Sequence, residues 1–140
     1  MGQQQLLLLV LGIVIVGLAV VVGIQAFGEN QKKANADALV NDAIRIASDA
    51  QAWKLKPQAF GGGANGVDTD FAAFSLEQVG YTVDANNDYV NLNGTFTVTG
   101  DANGLTIQAI NAANANQVDV DVTGTTTDDI TTSVTNYTAP

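Results

Sequence analysis

An α+β fold, a long N-terminal helix carrying a small antiparallel β head, is predicted by three features of this 140-residue chain. The stretch Leu6 to Phe27, LLLLVLGIVIVGLAVVVGIQAF, carries no charge and has Gln25 as its one polar side chain. Downstream, Ala36, Leu39, Val40, Ala43, Ile44, Ala47, Ala50 and Trp53 recur at the i, i+3, i+4 spacing of an amphipathic helix. From Gly80 onward the apolar period changes to two, the spacing of half-buried strands.

The first element is the apolar helix. At about 1.5 Å per residue it runs roughly 33 Å, enough to cross a hydrocarbon layer of about 30 Å. A helix apolar all round belongs in lipid or among other helices. The flank MGQQQ holds no Lys or Arg and the run exceeds the 7–15 residues of a secretory signal, so the segment is read as retained. Gly12, Gly17 and Gly23, with Ala19 four residues before Gly23, are small enough for neighbouring helix backbones to approach closely. Glycine is also simply frequent in membrane helices.

The second element is the amphipathic helix. Gly28-Glu29-Asn30 marks a break or bend that need not be complete, since glycine disfavours a helix by about 1 kcal/mol relative to alanine; if the two helices are continuous, residues 6–55 form a rod of about 75 Å. Its Leu39, Val40, Ile44, Ala47 and Trp53 side is expected to pack on the sheet, and Pro57 to end it by excluding the preceding residue from helical geometry. Gln58 to Asp70, with Gly61, Gly62, Gly63 and Gly66, reads as a loop. Phe71, Phe74, Leu76 and Val79 then return to the core on a short helical turn.

The third element is the head. Tyr81 and Val83, Val90 and Leu92, Phe96 and Val98, Leu105 and Ile107, Val118 to Val122, and Ile130 and Val134 alternate with Thr, Asn, Gln and Asp. Turn chemistry lies at Asn86-Asn87-Asp88, Asn93-Gly94, Asp101 to Gly104 and Thr123-Gly124-Thr125. An antiparallel meander of five or six short strands is expected, one face on the helix. The chain thus divides into an apolar helix over 1–28, an amphipathic helix over 29–56, and a loop and β head over 57–140.

Charge and composition narrow the function. Of the net −9, the five basic residues all fall between Lys32 and Lys56, while 57–140 holds ten acids and no base. Such a head repels phosphate backbones, so no nucleic-acid partner is expected. With no Cys and no His, the chain lacks thiol chemistry, disulfides and imidazole ligands. No catalytic residue, metal or cofactor is expected.

The polar N-terminus, uninterrupted apolar helix, amphipathic continuation and β head together resemble a type IV pilin or pilin-like protein. The resemblance implies a structural subunit, not an enzyme. Its partners would be identical copies in a helical filament at the cell surface, with insertion in the inner membrane before assembly. It implies an assembly helix whose contacts involve Gln5, Leu6, Leu9, Gly12, Ile13, Val16, Gly17, Val20, Gly23, Ile24 and Phe27, and processing at Gly2-Gln3. Where the family usually carries Glu, this chain has Gln5 counted from Met1, or Leu7 counted from Gln3. Lys32 and Lys33 after the apolar run would by the positive-inside rule hold the head in the cytoplasm. The resemblance implies export instead, and the Thr/Asn/Gly-rich head agrees with export. A single-pass anchored protein or a minor pseudopilin of a secretion apparatus is the alternative.

Other candidate sites have plainer readings. Asp84 to Asp88 begins like a calcium loop, but Tyr89 and Thr95 stand where the turn glycine and bidentate Glu belong, which favours a solvated turn. Asp68 and Asp70, Asp119 and Asp121, and Asp128 and Asp129 suit a solvated acidic surface better than a glycosidase pair. Asn93-Gly94-Thr95 and Asn136-Tyr137-Thr138 match the N-glycan acceptor pattern, and Thr-rich 123–138 offers O-glycan positions.

Overall fold

The computed structural model describes residues 2–136. One helix, α1, runs from Gly2 to Leu55 and passes through Gly28-Glu29-Asn30 without a break. The single glycine costs less than the helical hydrogen bonds on either side of it recover. Pro57 does end the helix: its φ of −58° and ψ of 144° turn the chain away. The chain separates into two compact units between Lys33 and Ala34.

In the second unit a five-stranded antiparallel meander is formed by β1 (Tyr89–Val90), β2 (Thr95–Asp101), β3 (Gly104–Asn111), β4 (Asn116–Val122) and β5 (Ile130–Asn136), in that spatial order. The register pairs Phe96 with Ala109, Ala109 with Val118 and Ile107 with Val120, which puts the apolar residues on one face. That face meets the helix in one core: Leu39, Ala43, Ile46, Ala47, Ala50 and Trp53 pack with Phe71, Phe74, Leu76, Phe96, Leu105, Ile107, Val118, Val120 and Val122.

Two sequence expectations need correction. Ile44 is 37% exposed, whereas Ile46 is 1% exposed and belongs to the core. At about 100° per residue Ile44 stands roughly 130° from the centre of the buried arc and Ile46 only about 30°. The 3-4-3-4-3 spacing of Ala36, Leu39, Ala43, Ile46, Ala50 and Trp53 sets that centre. Val40, at the edge of the arc, is half-buried. Tyr81, Val83 and Leu92 lie outside any strand. Asp84 Oδ1 accepts from the N–H groups of Asn86 and Asp88 at 2.8 and 3.0 Å and closes a turn before β1. Asn91 Oδ1 accepts from the N–H of Asn93 and Gly94, which puts Leu92 at a hairpin tip, fully exposed.

The Gly-rich segment is more than a tether. A Cβ at Gly62 would lie 2.0 Å from Lys56 O, and one at Gly63 would lie 2.3 Å from the Trp53 ring. The loop can lie this close to the helix end only because these side chains are absent. Phe71, Phe74, Leu76 and Val79 return to the core as expected, with a 3₁₀ turn at Leu76–Val79.

Candidate functional site

Every residue from Gly2 to Gln31 is exposed. That range includes Gly2, Gln3, Gln5, Leu6, Leu9, Gly12, Ile13, Val16, Gly17, Val20, Gly23, Ile24 and Phe27, all in α1. The large apolar side chains of Leu6 to Phe27 are each at least half exposed, Val14 being the most covered at 51% exposure. This part of the helix is long and apolar enough to cross a membrane.

Among the described residues nothing packs against its glycines. A Cβ on Gly12, Gly17 or Gly23 would meet nothing within 4 Å. Each disfavours the helix by about 1 kcal/mol relative to alanine. At about 100° per residue, Gly12 and Gly23 share a stripe some 60° wide with Ala19 and Ala26, while Gly17 lies roughly opposite. Of the small residues named from the sequence, Gly12, Ala19 and Gly23 therefore share one face, to which Ala26 adds, and Gly17 lies outside it.

The head's polar groups are largely committed to holding its own turns. Asn93 Nδ2 donates to Asp42 Oδ2 at 2.6 Å, which also accepts from Asn91 Nδ2 at 3.0 Å. Asn93 O accepts from Asn35 Nδ2 at 3.0 Å and Asn111 Nδ2 at 2.7 Å. Asn116, nearly fully buried, donates to Asn35 Oδ1 at 2.9 Å. These amides close the end of the helix–sheet sandwich where burial would otherwise strand backbone carbonyls. The nitrogen to which an N-glycan would attach at Asn93 is thus a donor in this network. Asn136 ends β5 and is exposed, while Tyr137 and Thr138 of its acceptor pattern lie outside the described residues.

The carboxylates behave in the same way. Asp119 and Asp121 share the outer face of β4, where Asp121 Oδ1 accepts from Thr106 Oγ1 at 2.8 Å and Asp119 Oδ2 from Gln117 Nε2 at 2.9 Å. Asp129 caps a 3₁₀ turn, and the hydroxyl and N–H of Thr126 hold its carboxyl below the usual range. Asp70 is also held low, first by the N–H of Ala72 and then by Asn65. Neither is the raised-pKa acid a glycosidase needs. Tyr81 Oη donates to Asp49 Oδ2 at 2.6 Å.

Lys54 is the polar residue that sequence reasoning missed, since it reads as one more surface base. It is 3% exposed. Nζ donates to Gly63 O at 2.8 Å, Asn65 Oδ1 at 2.8 Å and Asp70 O at 2.5 Å, with the Phe71 ring centroid 5.9 Å away. One signal was present: Lys54 falls seven residues after Ala47 and four after Ala50, on the buried stripe. Comparison of the chain with family models, curated proteins and solved structures returns no match.

Proposed function

We propose that the protein is a structural subunit of an extracellular filament of the type IV pilus kind, polymerised through its N-terminal helix and without catalytic activity. The observation that carries this reading is an uncharged run, Leu6 to Phe27, exposed on every side and bearing glycines against which none of the described residues packs. Outside a membrane such a run would leave on the order of 2,000 Å² of apolar surface in water, worth tens of kcal/mol at about 25 cal/mol per Å². Exchange of lipid for identical helices removes that surface. The gain suffices without the salt bridge that a Glu near the N-terminus would supply.

Export with prior insertion in the inner membrane, a homo-oligomeric state and the absence of nucleic-acid partners belong to the same reading. A role in surface attachment or motility follows from a polymer displayed on the cell. Electron microscopy of material sheared from cells expressing the full chain tests it, and thin filaments of this protein are the expected result. A chain that stays in the membrane fraction as a monomer would overturn it. The second reading, a single-pass anchored protein or minor pseudopilin, is favoured by a span of sufficient length and hydropathy to cross one bilayer.

A further inference from the structure

We propose that Lys54 and Asn65 become joined by an intramolecular isopeptide bond, with Asp70 as the group that moves the proton. Three side chains are already in the order this reaction needs. Lys54 Nζ is hydrogen-bonded to Asn65 Oδ1 at 2.8 Å, one bond from the carbon it would attack. Asn65 Nδ2, the leaving nitrogen, donates to Asp70 Oδ2 at 2.7 Å. The other oxygen of Asp70 accepts from the N–H of Ala72 at 3.1 Å, which fixes the carboxylate beside the amide. The N–H of Val67 donates to Asn65 Oδ1 at 3.1 Å and is placed to stabilise negative charge developing there.

Burial supplies the drive. Nζ sits among two backbone carbonyls, the Asn65 amide and the Phe71 ring, with the Asp70 carboxylate close enough to act on it electrostatically. Burying an ammonium group is costly even with a carboxylate nearby, and amide formation removes the charge. Held this way, an amine and an amide react with an effective molarity that reaches about 10⁵–10⁸ M in well-oriented systems.

The step balances without an oxidant or a co-reactant. The Lys54 ammonium releases one proton to water and the freed lone pair attacks Asn65 Cγ. Asp70 takes a second proton from the attacking nitrogen and returns it to Nδ2. The Cγ–Nδ2 bond breaks, and ammonia leaves through the exposed side of Asn65, taking up a proton as ammonium. The product is a secondary amide that clamps the Gly-rich loop to the end of α1 in a chain without cysteine.

Trypsin digestion of the full-length protein under denaturing conditions, read by mass spectrometry, tests the proposal. Cleavage after Arg45 and Lys54 would release peptide 46–54, while Pro57 protects Lys56. With the cross-link, peptide 46–54 is absent and a fragment 46–140 appears, about 17 Da lighter than its sequence through loss of ammonia. Asp70→Asn should restore peptide 46–54. Lys54→Arg, which keeps a buried cation, should restore the missing mass. Recovery of free peptide 46–54 from the parent protein in full yield overturns the proposal. A loss of about 17 Da with Lys54 still cleavable also overturns it, since a succinimide at Asn65-Gly66 gives that mass. Cross-linking that persists in Asp70→Asn removes Asp70 from the reaction.

Discussion

Tyr81 illustrates how one half-buried polar group ties the head to its helix and gives it a pH dependence. Its phenol lies edge-on to Tyr89 at 4.9 Å between ring centroids and donates to Asp49. Burial first, then the Asp49 carboxylate that accepts its hydrogen bond, push the Tyr81 pKa up. A raised pKa means that the fold favours the protonated phenol. Its stabilisation is therefore complete below the unfolded tyrosine value of about 10 and is lost as pH rises beyond it. Thermal melts from pH 8 upward should show a fall in Tm above pH ~10, and Tyr81→Phe should lessen that fall. Two helix residues make a sharper pair. Ile46→Asp buries a carboxylate without a partner and should cost several kcal/mol of a stability of about 5–15 kcal/mol. Ile44→Asp, at the exposed position, should melt within about 1 kcal/mol of the parent. Equal melting of the two variants would show that the buried arc is wrongly placed.

At the scale of the element, α1 uses one backbone geometry for two different surfaces. Between Ala36 and Trp53 its buried apolar residues form one arc and its polar positions are Asp, Asn, Arg, Ser and Gln. Between Leu6 and Phe27 apolar residues go all the way round. Helix formation is therefore common to both, and what covers the helix is not. If identical helices cover Leu6 to Phe27, the stripe of Gly12, Ala19, Gly23 and Ala26 is where two backbones come closest. Gly23→Leu should then reduce filament yield from the same level of expression more than Gly17→Leu does, as counted on grids of sheared material. Equal yields would show that the small residues carry no contact.

At the scale of the whole molecule, the second unit has its own core, its own sheet and its own polar closures. Deletion of residues 1–28 should therefore leave a soluble, folded head that elutes as a monomer on size exclusion with multi-angle scattering. Aggregated or unfolded material would show that the apolar helix is needed for folding as well as for assembly. EDTA should leave the Tm of the head unchanged, because Asp84 spends Oδ1 on its own turn and the loop supplies no complete ligand set. A large fall on chelation would return that turn to the calcium class.

What the sequence by itself determined is whatever depends on local periodicity and on covalent restriction. The uncharged run, the end of the helix at Pro57, and the buried faces of Leu105 with Ile107 and of Val118 with Val120 and Val122 were all legible, because repeat length and covalent restriction act between near neighbours. Only the tertiary structure decided which of Ile44 and Ile46 is covered, since both fit an apolar pattern and the choice rests on where the sheet meets the helix. It also decided that the helix runs through Gly28, that Leu92 sits at a tip, and that β3 and β4 are joined through Ala112 to Ala115, with Ala115 at φ 52° where no glycine announces the turn. Above all it decided the fate of Lys54. Its acceptors lie 9 to 16 residues away along the chain, and a cation on a buried stripe has no meaning until the loop that carries those acceptors has folded back over it.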